Sequence, residues 1–296
     1  MKGSQASFCS LLALAAVFTA VAAQQPPAPP PNAAAGAPPA QAPSRIVPPP
    51  DGHRFTNGVT YVYKAEWKLW DAGIATLHIE RDANGMERIT ATANSTGFVG
   101  KLFRVQDHFE AAFDPRTFCS VYINKRTEEG RRRRNVQIRF DYQRQKSVFE
   151  DVNLRSGEKR TIENAIPACV SDVLSGMFYA ASQPLEPGQT HVFPVNDGAT
   201  VDLKAHVQER ERIETEAGTF NAIRVQPEAP IGALKSKGKL WIWYSDDAER
   251  IPVQIRGRLF WGTLTLKLDR IEPPQAAEAS STRQNKTEQE PEAKPE

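Results

Sequence analysis

The sequence has little of what marks the common enzyme and nucleic-acid-binding classes. Its 296 residues include three cysteines and five histidines, and three cysteines are too few for a disulfide-rich scaffold. Lys plus Arg number 37 and Asp plus Glu number 35, which gives a formal net charge of +2. That near balance excludes a strongly basic nucleic-acid binder as a description of the whole chain. The one long apolar run lies at the extreme N-terminus, so nothing else in the chain is a candidate membrane span.

Motifs for metals, nucleotides and nucleophilic catalysis are also missing. None of the histidines forms H-x-x-H, H-E-x-x-H or H-x-H, so we expect surface or structural histidines and no metal site; they are His53, His78, His108, His191 and His206. There is no G-x-S-x-G, no phosphate-binding loop and no G-x-G-x-x-G. Because C-x-x-C is absent as well, a thiol oxidoreductase is not expected. We therefore expect no cofactor.

Residues 1–23 have the features of a secretory signal peptide. Lys2 provides a weakly positive start, and 11–23 is an uncharged apolar stretch too short to span a bilayer. Small residues fit a cleavage site near Ala22 or Ala23. An anchor that is never cut is the alternative. Cys9 precedes the apolar run, unlike the cysteine at which a lipoprotein is cleaved, so we expect an exported protein without a lipid anchor.

The two ends of the remaining chain are too polar or too proline-rich to fold. Residues 24–52 are rich in Pro and Ala, which favours an extended or disordered spacer. Residues 273–296 form a polar tail without the aromatic and β-branched apolar residues that would order it. This leaves one compact β-rich domain, predicted at 53–272.

Apolar and polar residues alternate with period two through most of this domain, which predicts half-buried strands. In the first strand one face carries Val59, Tyr61, Tyr63, Ala65, Trp67 and Leu69. Asn84-Gly85 is a strong hairpin signal. Strands are predicted at 59–69, 74–81, 86–94, 105–113, 118–127, 132–142, 146–151, 158–164, 189–195, 200–210, 220–227, 237–245, 251–257 and 259–271. We therefore predict an all-β fold, an antiparallel barrel-like, half-barrel or sandwich assembly.

One segment has helical rather than strand periodicity. Apolar residues recur at three- and four-residue steps from Val170 to Ala181, with Asp172 as an N-cap and Pro184 at the exit. We predict one short helix at about 171–182 between two strand sets. Cys119 and Cys169 remain after cleavage, and in an oxidising compartment they favour one disulfide that clips this helix to the first strand set. Two buried free thiols are the alternative.

For two charged motifs, a structural role is favoured over a catalytic or binding one. Asp246-Asp247 is the tidiest carboxylate pair, but adjacent strand residues point to opposite faces, so a charged turn is favoured over paired catalytic acids. The four arginines at 131–134 invite an anionic-lipid or nucleic-acid interpretation. Alternation leaves at most two of them on one side, and a solvated hairpin tip is favoured, with contact to anionic lipid as the lesser hypothesis.

Large aromatic side chains are the remaining candidates for a site. In a β-protein they mostly fill the core, but an open barrel leaves room for a lipid-like ligand. The candidate ligand-binding residues are Trp67, Trp70, Phe98, Phe103, Trp241 and Trp243. We predict no catalytic residue.

Three blocks in order resemble a known family. They read IPACVSDVLS at 166–175, EAGTFNA at 216–222 and WYSDD at 243–247, and Gly73, Asp107 and Phe109 fit the same pattern. Together they resemble the domain of unknown function 3108 family of exported bacterial proteins over about 55–271. The resemblance implies a β-rich, envelope-associated protein of Gram-negative bacteria, and it brings no established activity or catalytic residues. The blocks resemble turn and packing determinants.

These observations favour a binding or scaffold module over an enzyme. We expect a periplasmic β-protein, without a membrane span in the mature chain, that binds an apolar or amphipathic envelope component or a partner protein. No nucleic-acid partner is expected. An envelope-polymer hydrolase with a site assembled from dispersed residues, and a purely structural module, are the alternatives that the sequence leaves open.

Overall fold

The computed structural model describes residues 44–50, 55–68, 70–229, 238–259 and 262–274. The signal predicted for 1–23, most of the spacer predicted for 24–52 and most of the tail predicted for 273–296 lie outside these ranges. Within them the chain forms fourteen strands and two helices.

The first half of the chain holds eight strands and a short helix. They are β1 (Val59–Trp67), β2 (Trp70–Arg81), β3 (Glu87–Ser95), α1 (Gly97–Leu102), β4 (Val105–Phe113), β5 (Ser120–Glu129), β6 (Arg132–Asp141), β7 (Lys146–Asn153) and β8 (Lys159–Ala165). The second half holds a longer helix and six strands. They are α2 (Val173–Ser182), β9 (Thr190–Asn196), β10 (Thr200–Thr215), β11 (Gly218–Glu228), β12 (Gly238–Ser245), β13 (Pro252–Leu259) and β14 (Gly262–Glu272).

All of these strands pair into one antiparallel sheet. Its order is β8-β7-β6-β5-β4-β3-β2-β1-β14-β13-β12-β11-β10-β9, so each half is an up-and-down meander and the pairing of β1 with β14 joins the halves. The described strands end at β8 on one side and β9 on the other, so the sheet is open. The predicted all-β, antiparallel, barrel-like fold is confirmed.

Alternation decides which face of each strand is buried. Leu264, Leu266 and Leu268 of β14 share the buried face, as their spacing predicts. The Asn84-Gly85 hairpin is confirmed: Gly85 has a φ of +79° in the turn between β2 and β3. That left-handed conformation is one that glycine adopts without a steric penalty.

The sheet curves around α2. This helix contacts β4 and β9, and the hydroxyl of Tyr244 on β12 donates to the carbonyl oxygen of Met177 at 2.8 Å. Those three strands are far apart in the sheet order, so the sheet must bend to bring them to one helix. The face that carries α2 is called the inner face below.

The predicted helix is confirmed at Val173–Ser182, with Asp172 as its N-cap. The structure adds α1, which the sequence pattern did not predict. This helix is six residues long, and Val99 is its one buried residue. Phe98 and Leu102 remain exposed. The segment is too short to show a helical period, and it contains Gly97 and Gly100, which have low helix propensity.

Antiparallel pairing places the connections alternately at the two ends of the sheet. The β1–β2 turn, α1, the β5–β6 turn and the β7–β8 turn all lie at one end, called the α1 end below. The turn between β2 and β3 and the turn at Asp246-Asp247 lie at the opposite end.

Candidate functional site

The segment that leads into α2 is fixed to both halves of the sheet. The backbone N–H of Ser120 donates to the Val170 carbonyl at 2.9 Å, and that of Asn196 donates to the Ser171 carbonyl at 2.8 Å. The predicted disulfide is present between Cys119 and Cys169, whose Cα atoms are 5.1 Å apart. The N-terminus of α2 is therefore covalently and hydrogen-bonded to the sheet.

Asp172 is the centre of a buried hydrogen-bond network at this point. Its Oδ1 accepts the N–H groups of Leu174 at 2.8 Å and Ser175 at 3.0 Å, as an N-cap does. Its Oδ2 accepts the hydroxyls of Ser120 and Ser175, both at 2.6 Å. Burial raises the pKa of Asp172, while these four donors oppose the rise. Three of these donors belong to the first turn of α2, and the fourth, the Ser120 hydroxyl of β5, lies 52 residues away in the chain. The carboxylate therefore starts the helix and ties it to the sheet.

An apolar cavity of about 120 Å³ lies between α2 and the inner face of the sheet. The helix contributes Val173, Leu174, Gly176, Met177 and Ala180, and the sheet contributes Phe109, Ile123, Lys125, Phe193, Val195, Leu203, Ala205, Val225, Pro227, Leu240, Ile242, Tyr244 and Ile255. All but two of these side chains are apolar. The cavity offers dispersion contacts and exclusion of water, and it is suited to an apolar group.

Lys125 is the one charged residue among those that line the cavity. Its ammonium group forms an ion pair with Asp197, which follows β9, and both side chains are almost fully buried. Burial raises the pKa of Asp197, an effect that the neighbouring ammonium opposes. Removing either partner would leave a buried charge unpaired, which is strongly destabilising. The ion pair therefore connects β5, at the edge of the cavity, to the turn between β9 and β10.

Two buried carboxyl groups lie further toward the α1 end of the inner face. Asp107 on β4 and Glu129 on β5 are 3% and 2% exposed. The register pairs Val105 with Glu129 and Asp107 with Thr127, so the two acids are diagonal neighbours. Burial, and then the charge of Glu129, raises the pKa of Asp107 to about 8. Asp107 is therefore mostly protonated at neutral pH.

None of the six predicted ligand-binding aromatics is among the residues that line the cavity. Trp241 and Trp243 alternate with the lining residues Leu240, Ile242 and Tyr244, so they do not face the cavity. Trp243 is nevertheless 2% exposed and belongs to the hydrophobic core, and Trp241 packs against that core. The Arg256 guanidinium lies 5.2 Å from the ring centroid of Trp243.

The other four aromatics lie at the α1 end. Trp67 is half-buried beneath Lys68, whose Nζ is 5.1 Å from the centroid of the indole ring. Phe103 packs over Gly130, where a Cβ atom would come within 2.7 Å of the phenyl ring. Trp70 and Phe98 are 60% and 63% exposed, and their ring centroids are 6.3 Å apart. A ligand-binding role for the six therefore stays a prediction, and the structure divides them between strand β12 and the α1 end.

The charged motifs lie where their structural interpretations place them. Asp247 accepts the N–H groups of Glu249 at 3.0 Å and Arg250 at 3.1 Å, which makes Asp246-Asp247 a turn. The arginine run begins at the β5–β6 turn, and Arg134 forms an ion pair with Asp151. His53 lies outside the described residues. Within the described ranges, no three His, Cys, Asp or Glu side chains are grouped to hold a metal ion.

Comparison with protein families decides where the chain belongs. The family model of proteins of unknown function called DUF3108 matches residues 62–269. The chain belongs to the DUF3108 family. None of the curated proteins matches it significantly. The matched range runs from β1 to β14 and includes α2, so the cavity is built from the part of the chain that defines a DUF3108 protein.

Comparison with solved structures finds similarity to this DUF3108 protein at very low sequence identity. A β-barrel-like protein of the domain of unknown function DUF1849 from Brucella abortus is 8% identical, with a TM-score of 0.53, over 77% of this chain and 98% of that one. A protein classed as exported, with a YmcC-like fold, from Bacteroides fragilis is 9% identical, with a TM-score of 0.29, over 77% and 99%. The first of these supports the barrel-like architecture. In the described ranges no helix is long and apolar enough to cross a membrane.

The cavity residues were missed for identifiable reasons. The apolar face of α2 was found from its periodicity, but the pattern does not tell a helix that fills a core from one that borders a cavity. On β12 the two alternating sets are both apolar, so the pattern does not tell whether the set with Trp241 and Trp243 or the other set faces the cavity. The burial of Lys125 has no local signal, because its partner Asp197 is 72 residues away in the chain.

Proposed function

We propose that this DUF3108 protein is a non-enzymatic binding protein of the bacterial cell envelope. Its signal peptide is removed near Ala22 or Ala23, residues 24–52 are a spacer, and the domain acts in the periplasm of a Gram-negative bacterium. There it accepts the apolar part of an amphipathic molecule in the cavity under α2. The disulfide between Cys119 and Cys169 supports an oxidising compartment, where such bonds persist.

The single observation that carries the proposal is the apolar cavity. A dry cavity of about 150 Å³ binds benzene, so the volume of about 120 Å³ suits a slightly smaller group, such as the end of an alkyl chain. Met177 adds adaptability to the wall, because a thioether side chain is unbranched and polarisable. A longer part of a chain would enter only as α2 moves away from the sheet.

The hydrolase alternative receives less support from the geometry. Asp107 and Glu129 are the carboxyl groups whose proximity and burial would suit acid–base chemistry. Both are covered almost completely, and a polymer chain needs an open cleft to reach its catalytic acids. We therefore propose that Asp107 and Glu129 have a structural role and not a catalytic one.

Methionine methyl groups give a direct test of cavity binding. The chain has three methionines, at positions 1, 86 and 177, and only Met177 lines the cavity. In protein carrying ¹³C-methyl methionine and beginning at Gln24, decanoate added below its micelle concentration is expected to shift the Met177 resonance and to leave that of Met86 in place.

Filling the cavity should abolish this response. Ala180→Leu adds bulk directly to the cavity wall, and Ala205→Val adds less from the opposite side, in case the larger change impairs folding. Ala83→Leu on the exposed β2–β3 turn is the matched control and should respond like the wild type. An unchanged Met177 resonance in the wild type, or an equal shift in the filled variants, would refute cavity binding.

A further inference from the structure

An exposed apolar and basic surface occupies the α1 end of the sheet. Its apolar members are Trp70, which opens β2, and Phe98 and Leu102 of α1; its basic members are Lys68, Lys101 and Arg104. These six residues are called the α1 rim. None of them lines the cavity, so the proposed binding function leaves this surface unexplained.

The apolar side chains of the rim project into solvent. Trp70, Phe98 and Leu102 are 60%, 63% and 66% exposed. Phe98 and Leu102 are four residues apart on α1 and therefore share a helix face, and Trp70 lies beside Phe98. Single exposed apolar residues are ordinary, whereas three large ones grouped at one end indicate an interaction surface.

The charges around this apolar group are mainly positive. Arg104 donates to the side-chain amide oxygen of Gln106 at 2.7 Å. The pKa of Glu128 is lowered by its hydrogen bond from Arg126 and by the charges of Arg133 and Arg104, so Arg104 also has one acidic neighbour. The β5–β6 turn continues the basic surface, because the N–H of Gly130 donates to the Arg104 carbonyl at 2.8 Å and exposed Arg131 follows. Asp71, which directly follows Trp70, is the exposed acidic residue nearest to the rim in sequence. The surface therefore carries an excess of positive charge.

We propose that the α1 rim docks the protein onto a membrane surface that contains anionic phospholipid. Trp70, Phe98 and Leu102 enter the interface between head groups and acyl chains, where amphipathic aromatic rings are favoured. Lys68, Lys101 and Arg104 remain at the level of the phosphates, which attract basic residues near the surface. Charge complementarity and apolar insertion act together, and a peripheral protein generally needs both for stable attachment.

The exposure of the apolar side chains favours a bilayer over a protein partner. A protein would need three separate pockets to bury side chains that each project by more than half of their surface. A bilayer deforms around each of them without such matching. Docking by this end would also hold the strand ends, and the sheet that encloses the cavity, against the membrane.

Vesicle flotation tests the proposal with the protein that begins at Gln24. The vesicles are phosphatidylcholine alone and phosphatidylcholine with about one third phosphatidylglycerol, at low and high salt. We expect binding to the anionic vesicles only, weakened by salt because the contact is partly electrostatic. Phe98→Ser with Leu102→Ser, and separately Lys101→Glu with Arg104→Glu, should each lower the partition coefficient at least tenfold.

Matched controls lie outside the α1 rim, on strands β9, β10 and β14. Val192→Ser with Ile271→Ser removes two exposed apolar side chains, and Arg212→Glu reverses an exposed charge; these variants should float like the wild type. Circular dichroism and the Met177 response to decanoate establish that each variant is folded. Equal binding to neutral vesicles, no binding to anionic ones, or binding that survives both rim variants would overturn the proposal. Capture of a protein through the rim without vesicle binding would also overturn it.

Discussion

At the scale of single residues, the inner face carries ionisable groups whose burial makes stability depend on pH. Asp107 is the clearest case, because burial and the neighbouring Glu129 raise its pKa from an ordinary 3.8 to about 8. The native state therefore holds a proton that the unfolded chain releases between those two values. Stability is highest below the unfolded pKa and declines as the pH rises toward the folded pKa.

Asp107→Asn tests this linkage. The amide keeps an oxygen to accept the Glu128 N–H, which Asp107 now binds at 3.1 Å, and it cannot ionise. We expect the free energy of unfolding of the wild type to fall between pH 5 and pH 8, by up to about 1.4 kcal/mol per pH unit from this group. In the variant, the free energy of unfolding should no longer show this contribution to its pH dependence, as measured by urea denaturation at several pH values.

Thr127→Ala provides the matched control, because Thr127 pairs directly with Asp107 across β4 and β5 and has no ionisable group. It should lower stability about equally at every pH. If Asp107→Asn and the wild type show the same pH dependence, Asp107 is not the group that loses its proton.

At the scale of elements, α2 depends on the segment that anchors its N-terminus. The Cys119–Cys169 disulfide closes a loop with a sequence separation of 50, for which the chain-entropy estimate is roughly 3–4 kcal/mol. Cys119→Ser with Cys169→Ser should therefore reduce the free energy of unfolding by about that amount in denaturant titrations. Reductant should destabilise the wild type similarly and leave the double variant unchanged; equal stability of all samples would contradict the anchoring role.

The elements themselves were largely predictable from sequence. Alternation in β14 and the Asn84-Gly85 turn follow from side-chain period and glycine conformation, which are local properties. The helix α2 follows from its period and from the Asp172 cap. In contrast, α1 spans six residues, two of them glycines, and buries only Val99, so its sequence is too short to show a helical period. Local patterns predict elements that bury a regular face and miss those that do not.

At the scale of the whole molecule, the central features come from long-range pairing. β1 and β14 join the two meanders, although about 200 residues separate them in the chain. The cavity draws on α2 and strands from both halves of the sheet. Strand alternation identifies a buried face but not the curvature of the sheet, so the position of the cavity could not be derived from sequence. The same limit explains why the sequence does not tell that Trp241 and Trp243 pack in the core without lining the cavity.

The most direct measurement of the central claim is native mass spectrometry of the full chain recovered from the cell envelope under mild conditions. We predict that part of the wild-type protein carries one amphipathic molecule that organic extraction releases. Ala180→Leu, which fills the cavity wall, should be recovered empty, and Ala83→Leu should be recovered with the same occupant as the wild type. An empty wild-type protein, or an occupant retained equally by Ala180→Leu, would contradict a binding role for this cavity.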